Sequence, residues 1–138
     1  MSGHHEGVVR APLHTDEDVV RLRKMVREDM VALKFSLTDQ TKMVTAASEL
    51  ARNVLRYGGG GYAELEQLME NGVGGVRARF IDEGPGIADL ELAMRDGYTS
   101  GGGMGLGLSG AKRLADEFDI DSEPGRGTTV TITKWKPF

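Results

Sequence analysis

The feature that most constrains the fold is the stretch from Phe80 to Leu108, which holds two clusters of glycine. The first cluster, D-E-G-P-G, follows an apolar strand pattern, so the Asp82 carboxylate is expected at the end of that strand. Glycine beside it lets a flat ligand approach the backbone closely. The second cluster leads into a helical pattern, and a glycine-rich loop at a helix N-terminus offers N–H groups to phosphate. Together the clusters predict the wall of a nucleotide pocket.

Length and composition limit the other possibilities. A chain of 138 residues is enough for one domain, and we expect residues 1–7 to form a flexible tail and residues 8–138 the domain. No apolar run could cross a bilayer and no signal peptide is recognised, so no membrane role is expected. Cysteine is absent, which excludes disulfides and fits a cytoplasmic protein. The net charge of −4 disfavours nucleic acid as a partner.

The beginning of the chain predicts an edge strand and a helix. The strand covers Val8 to Leu13, and Thr15 with Asp18 then forms a capping box that starts the helix. The predicted buried stripe of this helix is Val19, Leu22, Val26, Met30 and Leu33. The pattern indicates packing and no chemistry.

A second helix carries the first candidate site residues. It is capped by Ser36 or Thr38 and continues to about Tyr57. Its predicted inner side is Met43, Val44, Ala47, Leu50, Ala51, Val54 and Leu55. Glu49 and Asn53 stand at i and i+4, so they share one face, one turn apart. Such a pair can hold one ion together.

Two hairpins flank the glycine clusters. Gly58 to Gly61 end the second helix, and a hairpin with an Asn71-Gly72 turn follows. In its returning strand Val76, Ala78 and Phe80 face the helices together with Asp82. A second hairpin near the end of the chain turns at Glu123 to Gly127 and continues into T-T-V-T-I-T-K-W.

Two segments complete the predicted architecture. Residues 87–100 contain one short helical pattern, Asp89 to Met94, and are expected to form a lid over the ligand. A third long helix is predicted from Leu106 to Phe118. The elements predict an α/β, two-layer sandwich of three helices on a mainly antiparallel mixed sheet.

Four groups of residues, in order, resemble the N, G1, G2 and G3 boxes of the gyrase, Hsp90, histidine-kinase and MutL (GHKL) ATPases. They are the helix with Glu49 and Asn53, the D-E-G-P-G at Asp82, the G-M-G-L-G-L at Gly103 and the G-R-G-T at Gly125. Each box alone is weak evidence, whereas four in order are strong. The resemblance implies the Bergerat, histidine-kinase-like ATPase fold over nearly the whole chain.

More narrowly, S-E-L-A-R-N, the lid sequence D-G-Y-T-S-G-G-G-M-G-L-G-L, K-R-L-A-D-E-F and the final T-K-W resemble the RsbT-type serine/threonine kinases of the bacterial stressosome. This resemblance implies an ATP-dependent kinase that phosphorylates STAS-domain proteins in a stress or anti-sigma pathway and also activates a PP2C-type phosphatase. The alternative is a nucleotide-gated binding module that sequesters a sigma factor. Glu49 favours the kinase, because a binding module needs no base there.

The resemblance also implies roles for single residues. Asp82 would accept a hydrogen bond from the adenine amino group, Asn53 would give an oxygen to Mg²⁺, and Glu49 would orient or deprotonate the attacking hydroxyl. Gly84 and Gly86 would shape the base pocket, and Thr128 would support the base through a water. The phosphates of ATP would be wrapped by Gly101, Gly102, Gly103, Met104, Gly105, Leu106, Gly107 and Leu108, with a basic contact from Arg56 or Lys112.

The sequence departs from its relatives in two places. His4, His5 and His14 lie in or near the tail, without the helical module of histidine kinases, so a histidine kinase is not expected. The lid from Tyr98 to Gly107 has no lysine or arginine where related anti-sigma kinases can carry one. Either Arg95, Lys112 or Arg56 substitutes, or the transfer depends on the partner.

Each candidate also has a simpler interpretation. Glu49 can be a solvated helix residue that pairs with Arg52, and Asn53 can be a surface amide. The Asp82 turn can be only a turn.

Overall fold

The computed structural model describes residues 7–84 and 107–137. In chain order the described elements are β1 (Val8–Leu13), α1 (Asp16–Ala32), α2 (Leu37–Tyr57), β2 (Gly61–Glu70), β3 (Val73–Asp82), α3 (Gly107–Leu114), β4 (Glu117–Glu123) and β5 (Gly127–Trp135). The predicted lid and its short helix lie outside the described residues. None of the described helices is long and apolar enough to cross a membrane.

The described strands form one sheet in the order β1-β2-β3-β5-β4, and each neighbouring pair is antiparallel. The three helices of the described residues pack together, with α2 between α1 and α3. The predicted two-layer sandwich is confirmed, and so is the position of β1 at an edge.

The core lies between the helices and one face of the sheet. Alternate residues of β3, Val76, Ala78 and Phe80, are at most 1% exposed. They meet Val130 and Ile132 of the neighbouring strand β5, which are also buried. Because side chains alternate along a strand, this pattern fixes which face of β3 carries the helices. It also places Asp82 on that face, as predicted.

Helix α1 begins as the sequence predicts. Thr15 is its N-cap, and the reciprocal capping box with Asp18 is present. The side chain of Asp18 accepts hydrogen bonds from the backbone of His14 and Thr15, and these bonds help to hold the pKa of Asp18 below its usual value. Of the predicted stripe, Val19, Leu22, Val26 and Met30 are buried, and Leu33 packs partly buried against the core.

Helix α2 is the central helix. Ser36, not Thr38, is its N-cap, because the Ser36 hydroxyl accepts a hydrogen bond from the Asp39 backbone at 3.1 Å. Residues 46–51 are all buried, although they cover every side of the helix. Such complete burial follows from contacts with α1, α3 and the sheet.

The hairpin between β2 and β3 turns at the predicted dipeptide. Asn71 and Gly72 both have positive φ, 51° and 79°. A two-residue loop with two positive φ angles matches the right-handed twist of the strands, and Asn-Gly is the favoured sequence for it.

The predicted end of the third helix is wrong. Helix α3 ends at Leu114, and Phe118 belongs to strand β4, opposite Ile132. The Asp116 backbone N–H donates to the Thr133 carbonyl, and the Asp116 carboxylate accepts from the Trp135 backbone. These bonds attach the chain to β5 directly after the helix. The sequence does not show this boundary, because an apolar residue such as Phe118 fits the helical period of about 3.6 residues and the strand period of two equally well.

Candidate functional site

The predicted site lies at one end of the sheet, on the helix-facing side. Asp82 is the last residue of β3, and its cross-strand neighbours are Gly61 and Thr128. Ser122 lies opposite Thr128, and their hydroxyl oxygens are 2.8 Å apart. Three polar side chains therefore follow one another across this end of the sheet, next to the helical layer.

The Asp82 carboxylate is held by backbone groups. The Gly84 N–H donates to Asp82 Oδ1 at 2.9 Å, and the backbone N–H of Thr128 also donates to this carboxylate. Partial burial raises the pKa of Asp82 above its usual 3.8, against these two hydrogen bonds, which lower it. The site thus presents an oriented, partly desolvated acceptor for a hydrogen-bond donor.

Four of the described glycines, Gly58, Gly61, Gly84 and Gly127, lie around Asp82. A Cβ at Gly58, Gly61 or Gly127 would collide with Asp82 or with the backbone of residues 81–83, and a Cβ at Gly84 would collide with the backbone of Gly58. They come from the end of α2, the start of β2, the turn after β3 and the start of β5. Among these four, only Gly84 is a predicted site residue. The run of four consecutive glycines could have indicated a role for Gly58 and Gly61 beyond ending the helix, since one glycine is enough for a helix end.

Helix α2 carries the other candidates, and its C-cap Gly58 lies against Asp82. Counting back at about 1.5 Å per residue, Asn53 lies about 7.5 Å and Glu49 about 13.5 Å from Gly58 along the helix axis. Asn53 is partly exposed, whereas Glu49 is only 8% exposed. The interpretation of Glu49 as a solvated residue is therefore wrong.

The two basic candidates lie in different surroundings. Arg56 is exposed in the last turn of α2, two residues before Gly58. Lys112 is exposed in the last turn of α3. Arg56 is thus close to Gly58 along the helix axis, although residues two positions apart on a helix do not share a face.

The start of α3 shows why glycine stands there. Gly107 is buried and has a φ of 68°, which disfavours any other residue. Leu108 and Ala111 are buried in the core on the side where α3 packs against α2. The remaining candidates, Gly86, Gly101, Gly102, Gly103, Met104, Gly105 and Leu106, lie outside the described residues, as does Arg95.

Within residues 7–84 and 107–137, no three acidic or histidine side chains come together to hold a metal. A Mg²⁺ ion at Asn53 would accordingly take most of its ligands from phosphate and water, as this ion often does. A single amide oxygen fits that arrangement. The donor set fits a metal that arrives with a nucleotide.

Comparison with known proteins agrees with this geometry. The model of the histidine kinase-, DNA gyrase B-, and HSP90-like ATPases matches residues 38–137, a range that includes all the described site residues. The chain belongs to this family.

Two similar proteins show which members of this family the chain resembles. The chain is 42% identical over 121 residues to the serine/threonine-protein kinase RsbT of Bacillus subtilis, covering 88% of this chain and 91% of that protein. It is 30% identical over 106 residues to an anti-sigma F factor of Bacillus licheniformis, covering 72% and 71%. The resemblance to RsbT-type kinases is confirmed.

The solved structure is that of the RsbU and RsbW domains of Rv1364c from Mycobacterium tuberculosis. It superposes with a TM-score of 0.64 at 22% identity, over 95% of this chain and 33% of that one. The match supports the fold of this ATPase family.

Proposed function

We propose that the chain is a protein serine/threonine kinase that transfers the γ-phosphoryl group of ATP to a hydroxyl of a partner protein. The observation that carries the proposal is that Glu49 and Asn53 share one face of helix α2, whose C-cap Gly58 lies against Asp82. Asp82 would bind the adenine base, Asn53 would lie at the phosphates, and Glu49 would lie at the accepting hydroxyl. Similarity to RsbT over most of both chains supports it.

Adenine fits the acceptor at Asp82. Its exocyclic amino group is a donor and can point at the partly desolvated carboxylate, whereas guanine carries a carbonyl at the same ring position. A carbonyl facing a carboxylate leaves both acceptors without a proton between them, which costs binding energy. Asp82 would therefore select ATP over GTP. Gly84 and Thr128 keep the carboxylate oriented for that contact.

Asn53 would hold the magnesium ion through its amide oxygen. When bound, the ion neutralises charge on the phosphates. Arg56 would contact phosphate from the same helix. Phosphoryl transfer depends mainly on positioning and charge stabilisation, so residues on one rigid helix suit it well.

Glu49 would act on the accepting hydroxyl. It would take the proton of the serine or threonine hydroxyl while that oxygen bonds to the γ-phosphorus. The bond from the γ-phosphorus to the bridging oxygen breaks at the same step, and ADP leaves with that oxygen. Burial of Glu49 fits a base that is shielded from bulk water.

The partners belong to the same proposal. As substrates we propose STAS-domain proteins of a bacterial stress or anti-sigma pathway, and as a second partner a PP2C-type phosphatase that the chain activates. We propose a cytoplasmic location for the chain, where such partners would act. A second candidate function is sequestration of a sigma factor, which the similarity to an anti-sigma F factor favours.

The kinase proposal is tested by Glu49→Ala. ATP affinity should stay close to that of the wild type, while phosphorylation of a STAS-domain serine or threonine should fall by about 10²–10⁴-fold. Thr45→Ala is the control, because Thr45 is exposed one turn earlier on the same helix. The measurement is transfer of labelled phosphate, with calorimetry for binding.

Two results would count against the proposal. Normal phosphorylation by Glu49→Ala removes Glu49 from the reaction. A wild-type protein that binds ATP and a sigma factor tightly, yet transfers no phosphate to any STAS protein, makes sequestration the better function.

A further inference from the structure

We propose that Gly58 is a positioning residue for the nucleotide. Its missing side chain lets the end of α2 approach Asp82, and this close contact sets both the orientation of the carboxylate and its distance from Asn53. The inference rests on the proposed function, because it assumes that Asp82 binds adenine. Neither the sequence motifs nor the similarity to known proteins assigns Gly58 a role.

The contact leaves no room for a side chain. A Cβ on Gly58 would lie 2.5 Å from both Cβ and Cγ of Asp82 and 2.8 Å from its Oδ2. Real Cβ atoms essentially never approach another heavy atom within 3.0 Å. Since Cβ of Asp82 is fixed by the β3 backbone, rotating the carboxylate cannot remove the clash. The end of α2 would have to move away from the strand.

Backbone conformation does not explain this glycine. Gly58 has φ −93° and ψ −13°, which other residues adopt readily. By contrast, Gly59 and Gly60 have positive φ angles of 73° and 106°. What demands glycine at position 58 is the space taken by Asp82.

Gly84 closes the same contact from the other side. A Cβ there would lie 2.7 Å from the Gly58 Cα and 3.1 Å from Asp82 Oδ1, and the Gly84 N–H donates to that oxygen. The carboxylate therefore lies between two backbone segments that touch each other. Around Gly61 and Gly127 the nearest atoms belong to the backbone of residues 81–83, so those glycines hold the sheet and not the carboxylate.

Moving the end of α2 would change two things at once. The Asp82 carboxylate would lose the surface that fixes its orientation, so adenine and guanine would be distinguished less well. Asn53, five residues earlier on the helix, would move away from Asp82, so that one nucleotide could no longer reach both. A general loss of packing would weaken ATP and GTP binding equally, whereas loss of orientation lowers their ratio.

The test compares Gly58→Ala with Gly74→Ala by calorimetry with Mg-ATP and Mg-GTP. Gly74 is a buried glycine of β3 without positive φ, and a Cβ there makes ordinary contact with Leu33 at 3.7 Å. Gly58→Ala should weaken ATP binding by about tenfold to a hundredfold, as expected for a disturbed hydrogen bond to a charged group, and reduce the ATP to GTP ratio. Gly74→Ala should change neither.

Combination with Asp82→Asn separates the possible failures. In that background, Gly58→Ala should have little further effect on the ATP to GTP ratio, because the two residues act through one contact. If the wild type does not bind ATP, the proposed function fails. If Asp82→Asn weakens ATP binding but Gly58→Ala binds both nucleotides like the wild type, only the inference about Gly58 fails.

Stability provides a second measurement if Gly58→Ala folds poorly. Asp82→Gly removes both atoms that lie 2.5 Å from the added methyl group. In this background Gly58→Ala should no longer lower the melting temperature. An equal loss in the wild-type and Asp82→Gly backgrounds would show that the clash lies elsewhere and would overturn the inference.

Discussion

The partly buried Asp82 carboxylate has a cost in stability. Burial raises its pKa above 3.8, so the ionised carboxylate is less favourable in the folded chain than in the unfolded chain. Without nucleotide, the charge therefore destabilises the fold at neutral pH. A ligand that donates to the carboxylate would recover this cost.

Asp82→Asn should change both the affinity for ATP and the stability of the nucleotide-free protein. We expect ATP affinity to fall by about tenfold or more, because a charge-assisted hydrogen bond is worth about 1.5–3 kcal/mol. The nucleotide-free mutant should nevertheless be more stable than the wild type near neutral pH. Calorimetry with ATP and urea unfolding without it are the two measurements.

The pH dependence checks the cause of the stability difference. For a raised pKa, the folded state binds more protons between the usual 3.8 and the raised value, so wild-type stability falls as pH rises through that window. Below the window the carboxyl is protonated in both states. The advantage of Asp82→Asn should therefore shrink as pH falls through the window, and a constant difference would contradict burial of the charge as its cause.

At the scale of the element, α2 connects the core to the site, and its start is set by Ser36. The Ser36 hydroxyl caps the Asp39 N–H, whereas Thr38 is exposed inside the first turn. Ser36→Ala should lower the free energy of unfolding by about 1 kcal/mol, the usual cost of losing an N-cap. Thr38→Ala is the matched control and should be nearly neutral. Equal effects in chemical unfolding would contradict the cap assignment.

Helix α3 is short because tertiary contacts end it. Lys134 of β5 lies 3.4 Å from the Leu114 carbonyl, where a cation is favourable at a helix C-terminus. The Asp116 carboxylate, 3.3 Å from the same Lys134 Nζ, also accepts from the Trp135 backbone. The bonds to β5 replace a further helical turn.

At the scale of the whole molecule, Lys134 joins three elements. Its side chain is 9% exposed and its Nζ lies 3.8 Å from Asp39 in the first turn of α2 and 3.3 Å from Asp116. It therefore links the start of α2 and the end of α3 to the sheet. The Asp39 side chain is only 15% exposed, so removing the lysine would leave a largely buried carboxylate without this ion pair.

Lys134→Met should destabilise the fold by about 2 kcal/mol, because it removes the cation from two carboxylates. This is below the roughly 3–5 kcal/mol typical of a fully buried pair, because Asp116 is partly exposed. Lys136→Met, at a partly exposed lysine two residues later, is the control and should cost far less. Thermal unfolding gives the difference, and amide exchange should rise in α3. Unchanged exchange in α3 would show that Lys134 does not hold this helix.

The sequence by itself determined the elements whose signals are local. The capping box at Thr15, the Asn71-Gly72 turn and the alternation along β3 each depend on neighbours within a few residues, and each is confirmed. The family followed from four ordered motifs, and the order of motifs is also a property of the sequence. The roles of Glu49, Asn53 and Asp82 stay predictions, although the structure places them along one helix and its contact with β3.

Only the tertiary structure decided what depends on distant partners. The end of α3 at Leu114 is fixed by β5, 20 residues away, and periodicity cannot show such a contact. Burial of Glu49 follows from two neighbouring helices and the sheet. The need for glycine at Gly58 is visible only when α2 and β3 are seen together, because its backbone angles are ordinary. Rules based on neighbouring residues use propensity and spacing. The space available to a side chain is instead set by segments far away in the sequence.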